Sequence, residues 1–229
     1  MYSTGFDVSR MNRDNLGRKI DWDRVSEAGE VDFCIIRMLD GSIPDVDGQY
    51  NMDGAGRISL PFAVYQPFYP NIGARLQAQL LASIVKDTHI VAAGDFEISS
   101  GLTPTVYNPL AYAYVNEYEQ LTGKGMLMYS GPWFADTYLT GLLPSRNVWI
   151  ANPYNLKPTM PKGVISWVLW QDAWNVSFAG IYDTTVCRDR FNGVPADARE
   201  FFGSSANPKT IEQRLSTLED QARAHGWEI

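Results

Sequence analysis

Eight short apolar runs constrain the fold of this chain more than any other feature of its sequence. They are GFDVS (5–9), VDFCIIRM (31–38), LPFAVYQPF (60–68), HIVAAGDFEI (89–98), GMLMYS (125–130), NVWIAN (147–152), VISWVLWQ (164–171) and IYDTTVCRDRF (181–191). Runs of this length between turn residues read as buried strands. The early ones alternate with stretches of helical spacing, which predicts a parallel sheet. Eight such strands predict an α/β fold closed into a TIM-like barrel, with an irregular second half because the helical signal fades after Asn147. An open doubly wound sheet would carry a glycine-rich phosphate loop after the first strand, and GFDVSRMN is not one.

The helical stretches are punctuated. DWDRVSEAG (21–29) begins on an acidic cap and stops at Gly29, the expected start and stop chemistry. In 71–87, Ile72, Leu76, Leu80 and Ile84 fall on one face, spaced for a helix lying on a sheet. A third helix is predicted from Asn108-Pro109 to Gly125 and a shorter one over 132–143. The barrel is assigned to residues 1–206. From Asn207 to Ile229 the chain becomes a charged helical tail in which Ile211, Leu215, Leu218 and Ala222 trace a narrow apolar stripe. It is expected to dock on the barrel, with self-association through a short coiled coil as the alternative.

Charge excludes some partners. A net charge of −7 argues against nucleic acid, whose phosphates need clustered Lys and Arg. No stretch of eighteen apolar residues offers a membrane span, and the first residues do not resemble a secretory signal. Release by another route is expected, as for a phage lysin or a virion component acting on a bacterial wall. The two cysteines, Cys34 and Cys187, sit far apart in apolar runs and are expected to be buried free thiols.

The chemistry lies where apolar runs end. In a parallel barrel the active site forms at the carboxyl ends of the strands, and this chain places acids there: Asp7 in the first run, Asp95 and Glu97 in the fourth, Asp183 and Asp189 in the eighth. Residues at i and i+2 of a strand face the same side, with Cα atoms about 6.5 Å apart. Asp95 and Glu97 can therefore converge on one bound atom. Like charges so close, between apolar walls, raise at least one carboxyl pKa, which equips the pair for general acid catalysis on an acetal. A D-x-E tripeptide also occurs as a solvated strand end or an ion-pair partner. With two histidines and no His or Cys cluster, no transition-metal site or cofactor is expected, while a carboxylate-only Mg²⁺ or Ca²⁺ site stays open.

Taken in order, these motifs resemble those of the glycoside hydrolase family 25 lysozymes, the Chalaropsis-type muramidases. GFDVSR with IDWDRV, then DFCIIRMLDG with Arg37, Asp40 and Gly41, and DGQYNMDGA with Asp47, Tyr50 and Asp53 are similar to the family's opening segments. GDFEIS matches its D-x-E. MLMYSGPWF, VWIANPY, VLWQDAW and VCRDRFNG resemble the segments that follow, so the likeness runs from about Gly5 to Gly193. One departure stands out: the family usually has Asp where this chain has Cys187, and Asn where it has Asp189.

The resemblance implies five β/α units completed by three strands, (β/α)5(β)3. It implies hydrolysis of the β-1,4 bond between N-acetylmuramic acid and N-acetylglucosamine in bacterial peptidoglycan, without a cofactor. It makes Glu97 the general acid, with Asp95 and Asp7 as acids of the same cleft. Tyr65, Tyr129 and Trp170 become a sugar-stacking wall, and Gln171, Arg37 and Asp189 further substrate contacts. Two alternatives remain open: a barrel that binds glycan without cutting it, which Cys187 favours, and a hydrolase of chitin-like polymers.

Overall fold

The structure is a computed structural model that describes residues 2–183 and 186–203. The predicted tail 207–229 lies outside the described residues. All eight apolar runs contribute a strand to one closed barrel. In chain order these are β1 (Ser3–Val8), β2 (Phe33–Arg37), β5 (Phe62–Pro67), β6 (Val91–Asp95), β7 (Leu127–Ser130), β8 (Val148–Ala151), β9 (Leu169–Val176) and β10 (Val186–Phe191). Neighbours from β1 through β9 pair in parallel. β10 closes the barrel between β9 and β1, antiparallel to both. A two-stranded ribbon after β2, β3 (Leu39–Asp40) with β4 (Ile43–Pro44), was not anticipated.

Five helices follow the first five barrel strands: α1 (Trp22–Ala28), α2 (Gly48–Arg57), α3 (Ala74–Val85), α4 (Pro104–Thr122) and α5 (Pro132–Tyr138). Among the described residues the last three barrel strands follow one another with no helix between them, as (β/α)5(β)3 requires. In α1 the Asp21 side chain accepts the Arg24 N–H, and Gly29, at φ 60°, ends the helix. Glycine is favoured there because a left-handed terminus penalises any Cβ.

Three helical expectations need correction. The buried face of α3 is Gln77, Ala78, Leu81, Ala82, Ile84 and Val85, whereas Leu76 is 38% exposed. Small alanines let the helix sit close to its neighbours, and the Gln77 carboxamide is drawn inward to bond the Tyr69 backbone. α4 begins at Pro104, not at Asn108-Pro109, since the added turn buries Tyr107 against Phe68 and Phe134. α2 was missed because three glycines weaken its helical signal. One of them is required: a Cβ on Gly54 would lie 2.1 Å from the Trp22 indole.

The seventh strand also lies later than predicted, at Leu169–Val176 instead of 164–171. A sixth, unpredicted helix, α6 (Pro195–Phe202), closes one end of the barrel. Its Phe202 stacks on Phe33 at 5.0 Å inside an inner core that includes Ile35, Leu127 and Leu169. With that end filled, the cleft forms at the opposite mouth.

Candidate active site

At the carboxyl-end mouth a cleft of about 380 Å³ is lined by Asp7, Tyr65, Asp95, Glu97, Tyr129, Trp149, Gln171, Trp174, Asn175 and Cys187. Parallel strands bring their last residues to this rim, and β10, running the other way, brings its start, which is why Cys187 faces Asp7 across the β1–β10 pair.

Local packing aims the acidic pair. Phe96 turns away from the mouth and is fully buried against Phe68 and Tyr114. Its neighbours Asp95 and Glu97 therefore both turn into the cleft. Gly94 makes this possible: a Cβ there would meet Met126, Phe96 and Tyr114 within 2.9 Å. Asp95 is 6% exposed, and its Oδ1 has no hydrogen-bond partner. Glu97 projects further and is reached by solvent.

Asp7 is the hub of the opposite wall. Gln171 Nε2 donates to its Oδ2 at 2.8 Å. The Gln171 Oε1 in turn accepts the Tyr129 hydroxyl at 3.1 Å and the Trp174 Nε1–H at 2.9 Å. An indole N–H can only donate, so it fixes which end of the carboxamide faces Asp7. The Cys187 thiol lies beside Asp7 and lowers its pKa slightly.

Asp189 completes the network from below. Fully buried, it accepts the Trp149 Nε1–H at 2.8 Å, while its Oδ2 meets no N–H or hydroxyl donor. Its other neighbour is the Asp7 carboxyl. Two carboxyls in contact need one proton between them, and the more deeply buried Asp189 keeps it and donates to Asp7.

Burial governs how these acids titrate. It lifts Asp7 from 3.8 to about 6, with the Glu97 charge adding and the bonds from Gln171 and Asp189 opposing. It lifts Asp95 well above the carboxylate range, reinforced by Glu97 and Asp7 and relieved in part by Arg37. Glu97 is raised by desolvation, and Asp189 is held well above its ordinary value by burial and Asp7. Burial thus shifts all four neighbouring acids toward the protonated form, the direction a general acid needs.

The sequence-predicted residues divide. Asp7, Asp95, Glu97, Tyr65, Tyr129 and Gln171 meet in the cleft. Trp170 does not: it is 5% exposed, packs on Trp167 and donates to the Asn152 carbonyl at 2.9 Å. It alternates with Gln171 along β9 and so faces the other way. Arg37 is also outside the lining; its guanidinium is tied to buried Asp45 at 2.7 Å. Asp189 reaches the site only through Asp7 and Trp149, and Asp183 does not line the cleft. Cys34 and Cys187 are both free, but only Cys34 is buried.

Trp149, Trp174 and Asn175 were missed. Trp149 sits mid-run like any core aromatic and offers no polar signal. Trp174 shares Trp170's parity, which strict alternation would send outward. β9 carries extra residues relative to β10, however, because Asp189 pairs with Gln171, Arg188 with Ala173 and Val186 with Val176. Each bulge resets the alternation, and Trp174 swings to the side of Gln171.

The profile of the glycosyl hydrolases family 25 matches residues 6–181. The uncharacterized protein YegX of Escherichia coli (strain K12) is 26% identical over 204 residues, covering 86% of this chain and 72% of that one. The fold superposes on the bacterial lysozyme of Streptomyces coelicolor with a TM-score of 0.77 at 22% identity, over 88% of this chain and 97% of that one. It superposes on a family 25 lysozyme of Aspergillus fumigatus with a TM-score of 0.73 at 18% identity, over 89% and 100%.

Proposed function

This chain belongs to the glycosyl hydrolases family 25, and on that premise we propose that it is a muramidase, cutting the β-1,4 bond between N-acetylmuramic acid and N-acetylglucosamine in peptidoglycan. The observation that carries this reading is the convergence of Asp95 and Glu97 with Asp7 on one cleft at the barrel mouth. Likeness in fold to lysozymes supports peptidoglycan as the polymer. The bacterial cell wall is then the place of action.

Glu97 is the acid of the proposed reaction. It is the cleft carboxyl most open to an incoming sugar, and partial desolvation raises its pKa, which favours the protonated form a general acid requires. As the proton passes to the glycosidic oxygen, the bond to the anomeric carbon breaks and positive charge develops on the sugar. Asp95 lies beside that centre and Asp7 across from it. Asp7, titrating at about 6, supplies negative charge at neutral pH, and charge placed where charge develops lowers the barrier. Ionised Glu97 then recovers a proton from the water that completes hydrolysis.

A barrel that only binds glycan would be favoured by the absence of an acid at Cys187. Asp189, bonded to Asp7 from two residues further on, weakens that alternative. The deciding experiment is mass spectrometry of fragments from purified peptidoglycan. New reducing ends on N-acetylmuramic acid support the proposal, while ends on N-acetylglucosamine, or no fragments, count against it.

A further inference from the structure

We infer that Trp174, braced by Tyr154, is a stacking platform for a pyranose ring of the glycan strand, one sugar position beyond the acids. This deepens the muramidase reading and rests on it.

Trp174 lines the cleft yet remains 47% exposed, and Tyr154, beyond the cleft, is 68% exposed. Exposed rings usually move freely, but these two are held. Trp174 is anchored through its Nε1–H to Gln171. Tyr154 is fastened to β9 twice, by its backbone N–H to the Asp172 carbonyl at 2.8 Å and by its hydroxyl to the Trp174 carbonyl at 3.0 Å. The rings meet edge to face, with centroids 6.1 Å apart at 83°.

The backbone is strained to achieve this. Tyr154 has φ 61° and Asn175, next to Trp174, has φ 56°, a left-handed conformation that Asn tolerates but that disfavours an aromatic residue such as Tyr154. Neither ring is repaid by core burial. Strain that fixes two solvent-exposed aromatics beside a cleft is preorganisation for a ligand with a flat apolar face. A pyranose presents such a face of C–H groups, and a strand threaded through the cleft would continue over this shelf.

A simpler role for Trp174, orienting Gln171, predicts a different mutant pattern. Trp174→Phe keeps a ring but loses the N–H; Trp174→Ala loses both. Binding of soluble uncrosslinked glycan strands is measured by calorimetry in a Glu97→Gln background, so that nothing is cut, with circular dichroism confirming the fold. Trp174→Ala is expected to weaken binding about tenfold, the worth of one good aromatic contact, while Trp174→Phe stays close to the parent. Equal affinity of parent and Trp174→Ala, equal losses in Ala and Phe, or no strand binding by the parent would each overturn the platform. Hydrolysis by the wild-type protein is scored separately: strand binding that depends on the ring, without any hydrolysis, would retain the platform and remove the muramidase reading.

Discussion

The Gln171 carboxamide donates to Asp7 at 2.8 Å, a bond that spans the antiparallel closure and ties the last parallel strand to the first. Gln171→Leu removes a donor that holds the Asp7 pKa down. The acid limb of the pH–rate profile, expected near pH 6, should move upward. The change also leaves the Tyr129 hydroxyl and Trp174 N–H without their acceptor, costing about 1–3 kcal/mol for each group that stays buried. A pH profile of kcat/KM with a thermal melt checks both effects.

Asp7 should be an expense to the fold. Its pKa is raised, so the folded state binds the proton more tightly than the unfolded one. Stability is therefore fuller below about pH 4 and is lost as pH rises through about 6. The rise from 3.8 to about 6 corresponds to about 3 kcal/mol. Asp7→Asn should melt above wild type at pH 8, with the gap closing by pH 4, while hydrolysis falls sharply. A gap that does not depend on pH would contradict this.

The barrel was legible because burial on both faces leaves continuous apolar runs, and the D-x-E pair because it breaks such a run with charge. Trp170 was mistaken for a wall residue, and Trp174 overlooked, for one reason: a bulge in β9 changes which alternate residues face inward, and no residue type announces it. α6 was missed because its role, filling the barrel end with Phe202, depends on contacts far away in sequence. Asp189 was legible as an acid but not as a proton-bearing partner of Asp7, which required knowing that it is fully buried.

Asp189 should tolerate loss of charge but not loss of polarity. Asp189→Asn can still donate to Asp7 and accept from Trp149, so most activity should remain. Asp189→Leu strands the Trp149 N–H, at about 1–3 kcal/mol, and should shift the acid limb upward through loss of a bond to Asp7. Parallel pH–rate curves for the two variants separate this from a general packing defect, which would lower both without moving the limb.

Gly94→Ala should be costly although it adds a single methyl. The new Cβ would lie 2.7 Å from the Met126 sulfur and 2.8 Å from the Phe96 ring. Overpacking of this kind costs about 1–3 kcal/mol. Because Phe96 separates Asp95 from Glu97, activity should fall further than the fraction folded, which denaturant titration alongside initial rates will reveal.

Release of reducing ends from purified peptidoglycan, by the wild-type protein and by Glu97→Gln at pH 6–7, tests the central role of Glu97 most directly. The expected result is hydrolysis by the wild type and a loss of about 100-fold or more in the variant, the scale of a general acid's contribution, with the melting temperature little changed. Undiminished hydrolysis by Glu97→Gln would contradict it.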